Sequence, residues 1–171
     1  MTPQSKAKAA CVVVLLSALK LVGCDYKPAP KTFKDYVVRG EFLTRRGRFD
    51  EAIENYRKAL EIEPDSAVVY LRLGQALRLQ GKLDLAIENF SKALSRDRRL
   101  SYAYFEWGRA LQSQGNLDEA IEKYQRVTER APKFYLAYKF WADALKKQGK
   151  LIEAEEMYRK ASEVDPTIHR K

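Results

Sequence analysis

Gly47 to Pro64, GRFDEAIENYRKALEIEP, decides the fold, because the same pattern returns three more times at intervals of 34 residues. The later copies begin at Gly81, Gly115 and Gly149. A fixed period of this length is typical of repeat proteins, in which each unit is one supersecondary structure that buries its apolar face against its neighbours. We therefore expect most of the chain to form a single array.

Each copy has the spacing of an amphipathic helix. In the first copy, apolar side chains recur at intervals of three and four residues, at Phe49, Ala52, Ile53, Tyr56, Ala59 and Leu60. This spacing places them on one helical face, which must be buried. Glycine before the run supplies a turn, and in three of the four copies a proline after it ends the helix because proline has no N–H to donate.

A second helical stretch precedes each copy and keeps the same period. It carries an aromatic, a small residue and a leucine in a fixed order: Tyr36, Tyr70, Tyr104 and Tyr138; Gly40, Gly74, Gly108 and Ala142; Leu43, Leu77, Leu111 and Leu145. Small residues allow two helix backbones to approach closely, while tyrosines and leucines fill the space beside them. The sequence therefore predicts units of two helices.

With these residues the pattern resembles the tetratricopeptide repeat, a unit of 34 residues. The resemblance implies an all-α fold, a right-handed superhelical solenoid of four tandem helix-turn-helix units. The units would be residues 33–66, 67–100, 101–134 and 135–168, followed by a tail at 169–171. The pattern departs at Arg39, Trp107 and Trp141 in place of leucine, and at Arg98 in place of proline.

The first 23 residues have the order of an export signal: Lys6 and Lys8, an apolar run, then small residues before Cys24. The run from Ala9 to Leu19 is shorter than the roughly 20 residues that span a bilayer. We therefore favour a cleaved signal over a permanent transmembrane helix. An ordinary apolar N-terminus with an incidental cysteine is the alternative.

Leu21-Val22-Gly23-Cys24 resembles the lipobox of bacterial lipoproteins. The resemblance implies cleavage before Cys24 and lipid on that cysteine, and two acyl chains suffice for stable anchoring. Residues 24–32 would then be a short tether containing Pro28 and Pro30. We expect a protein of the bacterial cell envelope, outside the cytoplasm, and Asp25 favours the periplasmic face of the inner membrane.

The sequence contains no motif that is typical of an enzyme active site. Every glycine belongs to the lipobox or to an equivalent repeat position, which leaves none for a phosphate-binding loop, and the single histidine is His169. We expect no enzyme, cofactor, metal or small-molecule substrate.

The formal net charge is +9, but no basic stripe interleaved with aromatic residues indicates nucleic acid. Asp50, Asp84 and Asp118 begin the second helices, where the helix dipole favours an anion.

By the resemblance, the first helices of the units line a concave groove, with the second, fifth, ninth and twelfth residues of each unit facing it. These are Lys34, Val37, Glu41, Thr44, Val68, Leu71, Gln75, Arg78, Tyr102, Phe105, Arg109, Gln112, Leu136, Lys139, Asp143 and Lys146. An apolar centre at Leu71, Tyr102 and Phe105 with a charged rim is typical of a peptide-binding surface. The alternative is that Tyr102 or Phe105 packs between helices.

The sequence favours a lipid-anchored, non-enzymatic scaffold that binds a protein partner in this groove. One alternative is a self-associating structural component, a homo-oligomer joined through its terminal helices. Another is a basic surface that binds anionic lipid or nucleic acid, and strong salt dependence would distinguish it.

The fourth unit has polar residues where the other units have mostly apolar ones. Glu155 replaces Ile53, Ile87 and Ile121, and Ser162 replaces Leu60, Leu94 and Thr128. Because repeat arrays need polar ends, we expect this face of the fourth unit to contact solvent.

Overall fold

The computed structural model describes residues 32–167, and these form eight helices. In chain order they are α1 (Phe33–Arg45), α2 (Phe49–Ile62), α3 (Ala67–Leu79), α4 (Leu83–Arg96), α5 (Ser101–Gln114), α6 (Leu117–Arg130), α7 (Tyr135–Lys147) and α8 (Leu151–Val164). The predicted signal, the lipidation site Cys24, most of the tether and the tail lie outside the described residues.

The helices stack in the order of the chain. Each helix packs most closely on the helices before and after it in sequence, and the first helices of neighbouring units also touch. Contact between nearest neighbours alone is the mark of a solenoid. The prediction of an all-α array of helix-turn-helix units is thus confirmed for residues 32–167.

The turn inside each unit depends on glycine. Gly47, Gly81, Gly115 and Gly149 have φ between 73° and 87°, a conformation that side chains with a Cβ disfavour. Each of these glycines lies between the two helices of its unit.

A second glycine in each of the first three units allows an aromatic ring to lie against the helix backbone. A Cβ at Gly40, Gly74 or Gly108 would come within 2.5–2.6 Å of the ring of Tyr56, Phe90 or Tyr124. These three rings are fully buried. Each of these glycines thus contacts a ring of the second helix, and the close approach of the two helix backbones stays a prediction.

The fourth unit has Ala142 at this position, and its ring lies differently. Tyr158 is only half-buried, and its hydroxyl donates to the carboxylate of Asp143. In unit 3, by contrast, the Tyr124 hydroxyl donates to Gln112 Oε1 at 2.7 Å. A methyl group at position 142 fills the space that Gly108 leaves open, so the ring sits further out.

A hydrogen bond of one type joins each pair of neighbouring units. The amide nitrogen at the end of one first helix donates to the aspartate that begins the second helix of the preceding unit, in the pairs Gln80–Asp50 (2.6 Å), Gln114–Asp84 (2.6 Å) and Gln148–Asp118 (2.7 Å). These aspartates therefore have a second role besides the favourable interaction with the helix dipole. They also fix the register of one unit on the next.

The outer face of α8 is exposed. Glu155 faces solvent, as the sequence predicted, whereas Ser162 is half-buried and donates to the carbonyl of Tyr158 at 2.9 Å. Leu151 and Ile152 on this face are 63% and 88% exposed. Ile152 occupies the position of the aspartates in the inter-unit bonds.

Between residues 32 and 167 we find no helix that combines the length and the apolar character required to cross a membrane.

Candidate functional site

The first helices of the units, α1, α3, α5 and α7, form a continuous surface that we call the first-helix face. Ion pairs link consecutive first helices across it: Arg72 Nε lies 3.1 Å from Glu41 Oε1, and Arg78 Nε lies 2.9 Å from Glu106 Oε2. Side chains from neighbouring units are therefore held in a fixed relation on this face.

The centre of this face is an ion triad built around Glu106. This carboxylate is 1% exposed, and its two oxygens accept from different helices: Oε2 from Arg78 Nε at 2.9 Å, and Oε1 from Arg109 Nη1 at 3.2 Å. A buried carboxylate needs such partners, because its desolvation is costly. Two arginines and one glutamate leave the triad with a net positive charge.

Arg109 is held by aromatic rings as well as by Glu106. Its guanidinium lies 5.0 Å from the ring centroid of Phe140 and 5.7 Å from that of Phe105. About a third of its side chain remains exposed. Because its orientation is already set, this guanidinium could bind an anion with little further loss of side-chain entropy.

Tyr102 is the exposed aromatic residue beside the triad, with 40% of its surface accessible. Its ring centroid lies 5.8 Å from that of Phe105 and 6.2 Å from that of Phe134. Partial burial and the nearby Glu106 carboxylate raise the pKa of its hydroxyl, so the group stays protonated at neutral pH. It offers a flat apolar surface with a hydroxyl to a bound chain.

Leu71 and Phe105, predicted as apolar anchors of the groove, are instead core residues. They are 5% and 2% exposed. Phe105 packs edge-on against Phe134 and Phe140, with centroids 4.9 and 5.3 Å apart, and near Tyr124 at 6.1 Å. The prediction that these two side chains are free to contact a partner is wrong, because stacking of units 3 and 4 requires Phe105 inside.

The other predicted groove residues are more accessible. Lys34, Val68 and Lys146 are exposed, and the half-buried positions are Val37, Glu41, Thr44, Gln75, Arg78, Gln112, Leu136, Lys139 and Asp143. Lys139 lies 3.7 Å from Asp143, another residue of this set, and Gln75 Oε1 accepts from Arg72, which the prediction did not include, at 3.2 Å. Most of the predicted groove residues are thus charged or polar, and Tyr102 and Val68 are the exposed apolar ones among them.

Sequence reasoning missed Arg72 and Glu106, which occupy the sixth residue of units 2 and 3. The equivalent residues in units 1 and 4 are Val38 and Phe140. A charged residue at a position that is elsewhere apolar was the available signal. Arg72 and Glu106 provide the pairs that hold the face together.

The part of the chain that the structure describes contains no group of histidine, cysteine, aspartate and glutamate side chains arranged to hold a metal ion.

Family models described as tetratricopeptide repeat match residues 36–99, 101–134 and 142–168. No curated protein sequence matches the chain significantly.

Solved structures share the fold along most of the chain. A crystal structure of MamA protein is 26% identical over 81% of this chain and 75% of its own, with a TM-score of 0.72. Another crystal structure of MamA is 23% identical over 100% of this chain and 99% of its own, with a TM-score of 0.75. The first tetratricopeptide domain of Spaghetti (RPAP3), bound to the HSP90 peptide SRMEEVD, is 24% identical over 69% of this chain and 96% of its own, with a TM-score of 0.66.

Proposed function

The chain belongs to the tetratricopeptide-repeat family, and on that premise we propose that it is a non-enzymatic scaffold of the bacterial cell envelope that binds a segment of a partner protein. Membership of this family supports a role in protein–protein interaction. The finer parts of the proposal are the binding face, the partner chemistry and the membrane anchor.

The observation that carries the binding face is the juxtaposition of Tyr102 with the triad of Arg78, Glu106 and Arg109. Tyrosine and arginine are among the residue types enriched at the energetic centre of protein interfaces. The structure of Spaghetti (RPAP3) with its peptide illustrates that this fold can hold a peptide. The partner segment should use its own apolar side chain on Tyr102.

The charge of the first-helix face favours an acidic partner segment. Arg72, Arg78, Arg109, Lys139 and Lys146 outnumber the three acidic residues Glu41, Glu106 and Asp143 on this face. Carboxylates pair well with arginine, whose planar guanidinium donates two parallel hydrogen bonds. We expect acidic side chains of the partner to lie over Arg109 and Arg78.

The test places a photo-crosslinking amino acid at Tyr102 in the native host and identifies the captured proteins and the peptides attached. Leu85, which is 45% exposed on a second helix, is the matched control position. A partner captured from position 102 and not from 85, through an acidic segment, supports the proposal. Equal capture from both positions, or none from 102, contradicts it.

Binding of the captured segment as a synthetic peptide then measures the role of each side chain. Tyr102→Ala and Arg109→Ala should each weaken binding about tenfold or more, as central anchors do. Arg126→Ala, on the exposed part of α6, is the charge-matched control and should leave binding unchanged. If Arg126→Ala weakens binding as much as Arg109→Ala, and the loss follows salt steeply, the surface is a general basic one that binds anionic lipid or nucleic acid.

The membrane anchor has its own test, because it rests on the sequence before residue 25 and not on the solenoid. Cys24→Ala should leave an uncleaved or mislocalised protein, and the wild-type chain should carry acyl groups on Cys24 that mass spectrometry detects. A wild-type chain without acyl groups, with the variant retained equally in washed membranes, would contradict the lipoprotein proposal and leave the binding face unaffected.

A further inference from the structure

Each junction between units pairs two apolar side chains, whereas the two ends of the described array carry charged residues at the same positions. At each internal junction an isoleucine of a second helix and a large apolar residue of the next first helix join the same core cluster: Ile53 with Leu73, Ile87 with Trp107, and Ile121 with Trp141. The inter-unit bond from glutamine to aspartate accompanies this apolar pair at every junction.

The equivalent positions on the two terminal helices carry opposite charges. On α8 the residue in the isoleucine position is Glu155, and on α1 the residue in the leucine or tryptophan position is Arg39. Both side chains are exposed. If α8 met another α1 in the register of an internal junction, Glu155 would face Arg39.

We propose that α8 of one molecule docks on α1 of a second copy of this chain, in the register that the internal junctions use. The contact joins two different surfaces, so it is head-to-tail and can continue to further copies. This proposal goes beyond the binding of a partner segment, since it uses neither Tyr102 nor the ion triad.

Exposed apolar side chains on α8 and α1 support the proposal that another protein chain covers these helices. Ile152 and Leu151 on α8 are the two most exposed large hydrophobic residues among those that the structure describes, and Val38 on α1 is 53% exposed. A terminal helix whose only role was to be soluble would be polar at these positions. The aspartate that an internal junction would use is replaced by Ile152, which needs no hydrogen-bond partner.

The overall charges of the two helices also select a head-to-tail pair. Helix α8 carries four glutamates against one arginine and one lysine. Helix α1 with Arg46 carries four basic residues against Asp35 and Glu41. Two α8 helices would repel each other, as would two α1 helices, whereas α8 and α1 attract. A symmetric dimer through either end is therefore disfavoured.

The decisive experiment reverses the two charges separately and together. An exposed ion pair changes an association constant by no more than about fivefold, but a reversal replaces attraction with repulsion, so we expect each of Glu155→Arg and Arg39→Glu to weaken self-association about fivefold or more. The double variant should associate like the parent. Sedimentation velocity of the full chain in a mild detergent, over a concentration series, measures these effects.

Mixing the single variants tests whether α8 of one copy meets α1 of another. In the mixture, the guanidinium introduced by Glu155→Arg faces the carboxylate introduced by Arg39→Glu, so the two variants should associate with each other more tightly than either associates with itself. Arg57→Glu, an exposed reversal on α2, is the matched control and should leave association unchanged. Tyr102→Ala should also leave it unchanged, which keeps this test independent of the partner-binding face.

Three results would each overturn the proposal. The first is a parent that stays monomeric at its highest soluble concentration. The second is single variants that associate like the parent. The third is a mixture that associates no better than its components, while circular dichroism shows all variants folded.

Discussion

The third and fourth units have the same two-helix backbone but treat equivalent residues differently. Phe105 is buried in unit 3, whereas Lys139 at the same position is partly exposed. Gly108 lies against a buried Tyr124, whereas Ala142 accompanies a half-buried Tyr158. Among the described residues, unit 3 has a neighbour on each side and unit 4 on one side only. The repeat pattern therefore sets the backbone, while the residue at each equivalent position and the presence of a following unit together decide which side chains are buried.

The largest expected effect comes from Phe105→Ala. The substitution removes a ring that packs against Phe134 and Phe140, and such a cavity costs about 3–5 kcal/mol in the free energy of unfolding. Chemical denaturation followed by circular dichroism measures the loss. The same change at the equivalent position, Lys139→Ala, should cost far less because that side chain is half-exposed. Comparable losses in the two variants would mean that units 3 and 4 do not differ as described.

Exchange of the small residue beside the tyrosine should have the next largest effect. In Gly108→Ala the new methyl group would lie 2.6 Å from Tyr124 Cε1, and overpacking of this kind costs about 1–3 kcal/mol. In the reverse change, Ala142→Gly, no clash arises, and only the lower helix propensity of glycine counts, at roughly 0.5–1 kcal/mol. Urea unfolding of both variants checks the order. A stable Gly108→Ala would show that the Tyr124 ring can move outward as Tyr158 does.

Alkaline pH should weaken the fold through its buried tyrosines. Burial raises the pKa of Tyr124 well above its usual value, and burial together with the hydrogen bond to Asp143 raises the pKa of Tyr158 to about 12. Below about pH 10 both states hold the proton and the stabilisation is complete; above it the unfolded chain releases a proton that the folded chain keeps, so stability falls as pH rises.

Tyr124→Phe should lose less stability at high pH than the parent chain. The difference in the free energy of unfolding should be roughly 1 kcal/mol at about pH 11, because one proton changes stability by about 1.4 kcal/mol per pH unit. Denaturation at a series of pH values measures the slope for the parent and the variant. Tyr158→Phe should also make stability less dependent on pH over the same range. The contribution of Tyr158 to the loss stops growing near pH 12, because its hydroxyl then ionises in the folded chain too. An unchanged slope in Tyr124→Phe would contradict the burial of this hydroxyl.

The smallest effect concerns the bond between units. Asp118→Ala removes the acceptor for the Gln148 amide, which lies 2.7 Å away, and a single hydrogen bond contributes about 0.5–1.5 kcal/mol to stability. Ile152 occupies the same position in unit 4 and has no such role, so Ile152→Ala should leave the unfolding midpoint unchanged. If the two substitutions have equal effects, the bond contributes nothing to the stability of the array.

The helices and their pairing could be predicted because they depend on local spacing. Gly47 and Pro64 mark the ends of a regular apolar run, and the period carries this interpretation through the later units. The exposed Glu155 was also predictable, since a charge replaced an isoleucine.

The burial of Phe105 could not be read from the same pattern. Helix α5 has apolar side chains around most of its circumference, from Tyr102 to Trp107, so periodicity does not say which of them faces solvent. The ring is buried because Phe134, the last residue of its own unit, and Phe140 of the following unit lie against it. The ion triad around Glu106 could not be predicted for a similar reason, since Arg78 comes from a different unit.

Packing between nearest neighbours gives the array a particular response to mechanical force. Within residues 32–167 each helix is held mainly by the one before and the one after it, with no contact that ties α1 to α8. A pull applied between the two ends would therefore load every junction in series, because no other contact among these helices shares the force. Rupture would begin at the junction that resists tension least and advance in steps of one unit.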